Sequence, residues 1–241
     1  MFTLATQAGK LLNQPYIPML EERNTRKGFF ELEMFHSVLA HLPAALRPVI
    51  EFAYITGWRI PSEVLTLEWR QVDFKAGEVR LDPESTKNRE GRVFPFTDDL
   101  KRLLDAQQQE HLRLKGAGFI VPRVFVRMVA KGRNGTKEPR PIQSFSKAWK
   151  AACAAAGCPG RIPHDLRRTA IRNMTRRGLA ERVSMQLAGH KTRSVFERYN
   201  IVSDGDLRGA AAKLQGLTGT EKGQSGSLST ATGSERSEIA K

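Results

Sequence analysis

The chain has 241 residues, 40% of them hydrophobic, and Lys plus Arg outnumber Asp plus Glu by 39 to 25, for a net charge of +14. That length supports one substantial core, or one domain with tails, and so basic a chain attracts polyanions, nucleic acid first and an anionic membrane surface second. No apolar run approaches the ~20 residues that span a bilayer, the N-terminus lacks the basic-then-apolar order of a secretory signal, and Cys153 and Cys158 stand outside CxxC spacing, which speaks against a membrane span, a signal peptide and a thiol redox or zinc pair.

Residues 1–30 contain Pro15, Pro18 and the charged stretch EERNTRKG, and read as a linker or approach segment. ELEMFHSVLAHL places Leu32, Phe35, Val38 and Leu39 at three- and four-residue spacings and predicts a helix. LRPVIEFAYITG predicts a second, stopped by Gly57. Pro61 marks a further helix start, with SEVLTLEW as its body. AGEVRLDP and GRVFPF are β-like runs separated by the polar ESTKNRE, which predicts a hairpin with Lys87 on or beside its turn. TDDLKRLLDAQQQEHLRL returns to helix behind Thr97, a candidate N-cap. Residues 115–141 predict a loop, a short strand around VFV and a second, basic loop, KGRNGTKEPRP. SFSKAWKAACAAAG, PHDLRRTAIRNMTRRG and AERVSMQLAG predict three helices, the last two stopped by Gly178 and Gly189, and TRSVFERYN starts a short fourth. Leu207, Ala211 and Leu214 recur at helical spacing. From about residue 215 the chain is dominated by Gly, Ser, Thr and Glu, too polar to offset the entropy of ordering, and is expected to be disordered. The expected fold class is mainly α with a small antiparallel β element (α+β).

Several polar residues fall at element boundaries. Arg59 follows a helix stop in TGWRIPSE, Lys87 lies near the hairpin turn, and His164 and Arg167 open a helix in HDLR. His190 follows a glycine stop, and Tyr199 comes nine residues later. This set has neither metal-ligand spacing nor an acidic pair, and it suits a phosphodiester. Arginine forks match the non-bridging oxygens on which charge develops, and two of them can replace the metal ions used elsewhere. A phenol can attack in line once a base takes its proton, a lysine can protonate the leaving oxygen, and histidine is the natural carrier of the phenol proton.

The ordered set TGWR, TKN, HDLR, LAGH and RYN resembles the catalytic domain of the tyrosine recombinases, the phage integrase family. The resemblance implies a catalytic domain over residues 31–214 and a site-specific recombinase that cleaves and rejoins DNA through a 3′-phosphotyrosyl link, with no metal, no other cofactor and no ATP. By that resemblance Tyr199 is the nucleophile, and Arg59 and Arg167 clamp the scissile phosphate. Lys87 is the general acid toward the 5′ oxygen, His164 assists proton transfer, His190 hydrogen-bonds the phosphate, and Glu63 supports Arg59. The implied partners are double-stranded DNA at recombination sites, other copies of the chain in a homotetramer, and accessory DNA-bending proteins, in a cytoplasmic, nucleoid-associated setting. The sequence departs from the family in two ways. The acidic residue stands four positions after the first arginine rather than three, with Pro61 between, and the short lead has no room for the family's N-terminal DNA-clamping domain, so the chain is expected to be a C-terminal portion or a truncated form.

Each residue also has a plainer reading. Tyr199 lies four positions after Val195 and can be a packing residue. Arg59 can neutralise a helix C-terminus, Lys87 can be a solvated turn charge with Arg89 or Arg92 competing for its role, and His164 can be a surface residue. Arg168 points about 100° away from Arg167 on a helix, so it faces the DNA backbone or pairs with an acid. Lys131, Arg133, Lys137 and Arg140 form either a solvated basic loop or one that contacts phosphates. His36, His41 and His111 carry no assignment. Two alternatives share many of these residues: a non-catalytic DNA-binding regulator, since two basic helices meet at Gly178, and a type IB topoisomerase-like enzyme. The helix around Leu207 is expected to dock on a neighbouring subunit.

Overall fold

A computed structural model of the chain describes residues 2–13, 16, 18, 28–83, 91–132, 135–199, 202 and 204–215. The chain divides into two compact units, 1–201 and 202–241. Lys87, Arg133 and the tail from residue 216 onward, about which the sequence raises expectations, lie outside the described residues.

In the first unit, α1 (Phe2–Gln7) forms within the segment read as a linker and buries nothing. The next helices, α2 (Leu32–His41) and α3 (Arg47–Thr56), turn their apolar faces inward through Phe35, Val38, Val49, Ile50 and Phe52. Gly57 ends α3 in the left-handed conformation, at φ 69°, where only glycine is free of strain. Trp58 then packs edge-on against Phe52 with centroids 5.6 Å apart.

The helix expected over SEVLTLEW is instead one wide turn, Ile60–Val64. The amide of Val64 donates to the carbonyl of Arg59 at 3.1 Å, and that of Leu65 to Ile60 at 2.9 Å, the five-residue reach of a π-type turn. Pro61 fits its first positions, and the chain leaves it for a 3-10 turn at Trp69–Gln71.

The hairpin expected from AGEVRLDP and GRVFPF is present as β2 (Glu78–Leu81) and β3 (Arg92–Pro95), antiparallel, with β1 (Val72–Asp73) added on the far edge of β2. Residues of one parity face the core: Val79, Leu81, Phe94 and, on that same face, Arg92. Thr97 caps α4 (Asp98–Gly116) by accepting the Leu100 amide at 3.2 Å.

The basic segment expected to be a loop is half strand. β4 (Val126–Ala130) pairs antiparallel with β5 (Lys137–Pro141), which places Lys137 and Arg140 in a two-stranded ribbon. Prolines at 139 and 141 are tolerated because a two-stranded ribbon leaves one side of each strand unpaired.

α5 (Ser146–Ala155), α6 (His164–Arg176), α7 (Glu181–Ala188) and α8 (Arg193–Glu197) follow as the sequence predicts. Along α6, Leu166, Ala170 and Ile171 are buried together with Asp165, Arg167 and Arg172. The entering chain is fastened to this helix. The Phe30 amide donates to Thr169 Oγ1 at 2.9 Å, and Glu31 pairs with Arg172 at 2.9 Å. A small second cluster, Ile171, Ala188 and Phe196, receives the ring of Tyr199. α9 (Asp204–Lys213) belongs to the second unit and forms where helical spacing predicts it. Among the described residues no helix is long and apolar enough to cross a membrane.

Candidate active site

α6 crosses α3 at Gly57, where a Cβ would lie 3.1 Å from that of Ala170. This close approach lets Nη1 of Arg167, one turn into α6, donate to the Gly57 carbonyl at 2.7 Å. Arg167 is only 2% exposed, yet Nε and Nη2 have no partner among the described residues. Each buried donor left unpaired costs about 1–3 kcal/mol. The arrangement therefore favours an anionic oxygen brought in from outside.

Arg59 emerges from the α3 stop and is held by Glu63. Its backbone amide donates to Glu63 Oε2 and its Nη1 to Oε1, both at 2.7 Å. The wide Ile60–Val64 turn absorbs the extra residue between them and returns the carboxylate over the arginine. Glu63 is 1% exposed, so this is a buried counter-ion rather than a surface pair. Burial pushes its pKa up, and the charges of Arg92 and Arg59 with the Arg59 amide more than reverse this, leaving it below the ordinary carboxylate value.

Arg92 is the residue that sequence reasoning missed, having weighed it only as a stand-in for Lys87. From β3 its Nη2 reaches Glu63 Oε1 at 2.5 Å and its Nη1 reaches the Ala188 carbonyl at 2.8 Å. The signal lay in strand parity: Arg92 and Phe94 share a face, so a buried aromatic implies a buried arginine two residues away.

His190 sits just after the Gly189 stop, at φ 70°, and is 7% exposed. Neither ring nitrogen has a partner among the described residues. Burial, then the charges of Arg167, Arg59, Arg92 and His164, bring its pKa down to about 3, so the ring is neutral at ordinary pH and offers one N–H. The same two forces, burial and then Arg167, Arg168 and Arg59, lower His164, with Asp165 opposing. Arg167 falls to about 10 through burial and the charge of Arg59, and it stays cationic.

Tyr199 lies in the turn after α8. Its ring packs 4.7 Å from that of His190, and its hydroxyl is 2.8 Å from Nε2 of His164. Arg167 and Arg168 stand over the ring, with guanidinium carbons 5.7 and 5.6 Å from its centroid. Arg168 also pairs with Asp165 at 3.5 Å, the acid-paired alternative of the two expected. The packing and the chemical readings of Tyr199 are thus compatible: the ring is packed while the hydroxyl is held by histidine.

The structure brings Arg59, Glu63, His164, Arg167, His190 and Tyr199 together, while Lys137 and Arg140 lie on the β4–β5 ribbon. In that ribbon Lys131 pairs with Glu138 at 3.9 Å and Arg140 pairs with the same acid, while Lys137 is exposed. Among the described residues no group of three or more His, Cys, Asp or Glu side chains is placed to hold a metal ion. The cysteines are buried and free, and burial raises the Cys153 thiol to about 12.

Comparison with known proteins places this arrangement. The profile of the phage integrase family matches residues 30–205. The integrase of Salmonella phage P22 is 26% identical over 221 residues, 90% of this chain and 54% of that protein. The chain thus spans about half the length of the curated relative that it matches. A lambda integrase dimer bound to a COC' core site shares the fold, with a TM-score of 0.58 and 17% identity over 83% of this chain and 55% of the other. The catalytic domain of bacteriophage HP1 integrase does so with a TM-score of 0.51 and 19% identity, over 80% of this chain and 98% of that domain. With TGWR, HDLR, LAGH and Tyr199 gathered at one site and the family profile covering residues 30–205, the chain belongs to the phage integrase family.

Proposed function

We propose that the chain carries the DNA-cleaving and rejoining domain, expected over residues 31–214, of a tyrosine-type site-specific recombinase. The Tyr199 oxygen attacks a backbone phosphorus, the bond to the 5′ oxygen breaks, and a 3′-phosphotyrosyl link forms. His164, neutral because it is buried among arginines, takes the phenol proton. Arg59 and Arg167 neutralise the non-bridging oxygens, and His190 adds a hydrogen bond. Lys87, by family resemblance, protonates the departing 5′ oxygen. The link conserves the energy of the broken bond, so rejoining runs the steps in reverse without ATP or metal. Lys131, Arg133, Lys137 and Arg140 contact the backbone of flanking DNA. The assembly is a homotetramer on paired sites, helped by proteins that bend DNA.

One observation supports this reading best. The unpaired buried donors of Arg167 and the unpaired ring of His190 lie beside the ring of a tyrosine whose hydroxyl is already bonded to a histidine. A packing-only cluster has no reason to retain buried donors without acceptors.

The test incubates the chain with a library of nicked duplexes carrying a randomised segment across the nick, so that cleavage releases a short fragment and traps the adduct. A covalent protein–DNA band on a denaturing gel, absent with Tyr199→Phe, is the expected result. Tight binding without a band from any member of the library would favour the regulator instead.

A further inference from the structure

We propose that Arg92 is a positioning residue of this active site: its guanidinium ties Glu63, and through it Arg59, to the carbonyl that ends α7 just before His190. The inference rests on the reading of Arg59 and Tyr199 given above.

The geometry is that of a clamp. Arg92 is 8% exposed and spends its two terminal nitrogens on different elements, Nη2 on Glu63 Oε1 at 2.5 Å and Nη1 on the Ala188 carbonyl at 2.8 Å. Glu63 is shared, because the same Oε1 accepts Nη1 of Arg59 at 2.7 Å. The two elements joined here, the turn after α3 and the end of α7, carry Arg59 and His190. A second tie runs parallel. Trp58, one residue before Arg59, donates from Nε1 to the Leu187 carbonyl at 3.1 Å, and Arg92 lies over its ring, 5.6 Å from the centroid.

Gly189 belongs to the same device. Its positive φ already favours glycine, and a Cβ there would collide with the Arg92 guanidinium. The glycine before His190 therefore serves two needs: a left-handed stop and room for the arginine. A carboxylate with two cationic partners cannot rotate away from one without losing the other. Arg59 is thereby held at a fixed distance from the turn that presents His190. Such preorganisation matters because a misplacement of about 1 Å in a clamp can cost about 10²-fold in rate.

The charges facing Glu63 are Arg59 on its own turn, Arg92 on β3 and Arg167 on α6, with His190 close by on the α7 end. Without Arg92, its charge and hydrogen bond no longer lower Glu63, so the carboxyl takes a proton at higher pH than in the parent. His164 is lowered by burial first and then by Arg167, Arg168 and Arg59, none of which the substitution removes.

The experiment measures single-turnover cleavage of the nicked-duplex library, from pH 4.5 to 8, for the chain and for Arg92→Met and Arg92→Lys, alongside DNA binding. Arg92→Met is expected to bind DNA within about threefold of the parent, to cleave about 10–10²-fold more slowly, and to lose rate on the acid side at a higher pH. Arg92→Lys keeps the charge beside Glu63 but cannot span to Ala188. It should restore the acid side while remaining several-fold slow. Should Arg92→Met fail to fold, the lysine variant decides alone: parental rate, or an acid side displaced as the rate falls, overturns the proposal. So does a folded Arg92→Met with parental rate and profile, or a pair of variants equally slow with unmoved profiles. If the parent forms no adduct at all, the proposed function has failed, and the positioning role falls with it.

Discussion

The hydroxyl of Tyr199 and Nε2 of His164 are 2.8 Å apart, on the turn after α8 and the first residue of α6. In the proposed reaction, a histidine at that distance is the base that takes the phenol proton. His164→Ala should lower the rate of adduct formation by about 10²-fold, the lower end of what a positioned base contributes, while Tyr199→Phe should abolish the adduct and keep the ring packed beside Phe196. Single-turnover cleavage measures the first, and the thermal melt of the phenylalanine variant checks the second.

Arg167 gives the site its sharpest conflict between stability and function. It is buried with unpaired donors and sits near two other arginines. Replacing it by methionine keeps the volume and removes the under-paired charge, so thermal stability should rise, as when other poorly compensated buried charges are removed. Cleavage should fall by about 10²–10³-fold, the scale for loss of a charge partner in the transition state. Differential scanning calorimetry and the cleavage assay read the two effects separately.

Acid should weaken the fold before ordinary carboxylates titrate. The folded-state pKa of His190, about 3, lies below its unfolded value of 6.5, so the unfolded chain binds the extra proton between them. The stability that neutral His190 contributes is complete above pH 6.5 and is lost as the pH falls toward 3. Glu63, also lowered, acts in the same direction, but only as the pH falls below its ordinary value of 4.5. Urea midpoints between pH 7 and 5 should therefore fall more steeply for the parent than for His190→Gln. NMR of the free protein should show the His190 ring still neutral at pH 5, with inorganic phosphate raising its pKa.

Removing residues 205–217 should leave DNA binding intact and impair tetramer assembly, if the apolar positions Leu207, Ala211 and Leu214 meet a neighbouring subunit. Analytical ultracentrifugation on DNA checks this, and tetramers of undiminished stability would contradict it.

Much of the fold was legible because three of its described helices, α3, α6 and α7, end at or beside glycines. Gly57, Gly178 and Gly189 all adopt positive φ, and each follows an apolar periodicity that sequence alone displays. The candidate site was legible for a related reason: Arg59, His164, Arg167, His190 and Tyr199 fall at those ends and starts, where local patterning leaves a polar residue unexplained. Two elements escaped. β5 resembles loop in sequence because Lys137, Glu138 and Pro139 carry no strand propensity, and only pairing with β4 extends them. The helix after Pro61 was overpredicted because propensity cannot foresee that Glu63 must reach back to the Arg59 amide, a tertiary demand that one wide turn meets. Arg92 was underrated for the same reason: its partners lie 29 and 96 residues away in the chain.

The most direct measurement digests the trapped adduct with nuclease and protease and sequences the nucleotide-bearing peptide by mass spectrometry. The account predicts a single modified residue, Tyr199, carrying DNA through a 3′ phosphate. DNA attached to any other residue, or joined to Tyr199 through a 5′ phosphate, would contradict it.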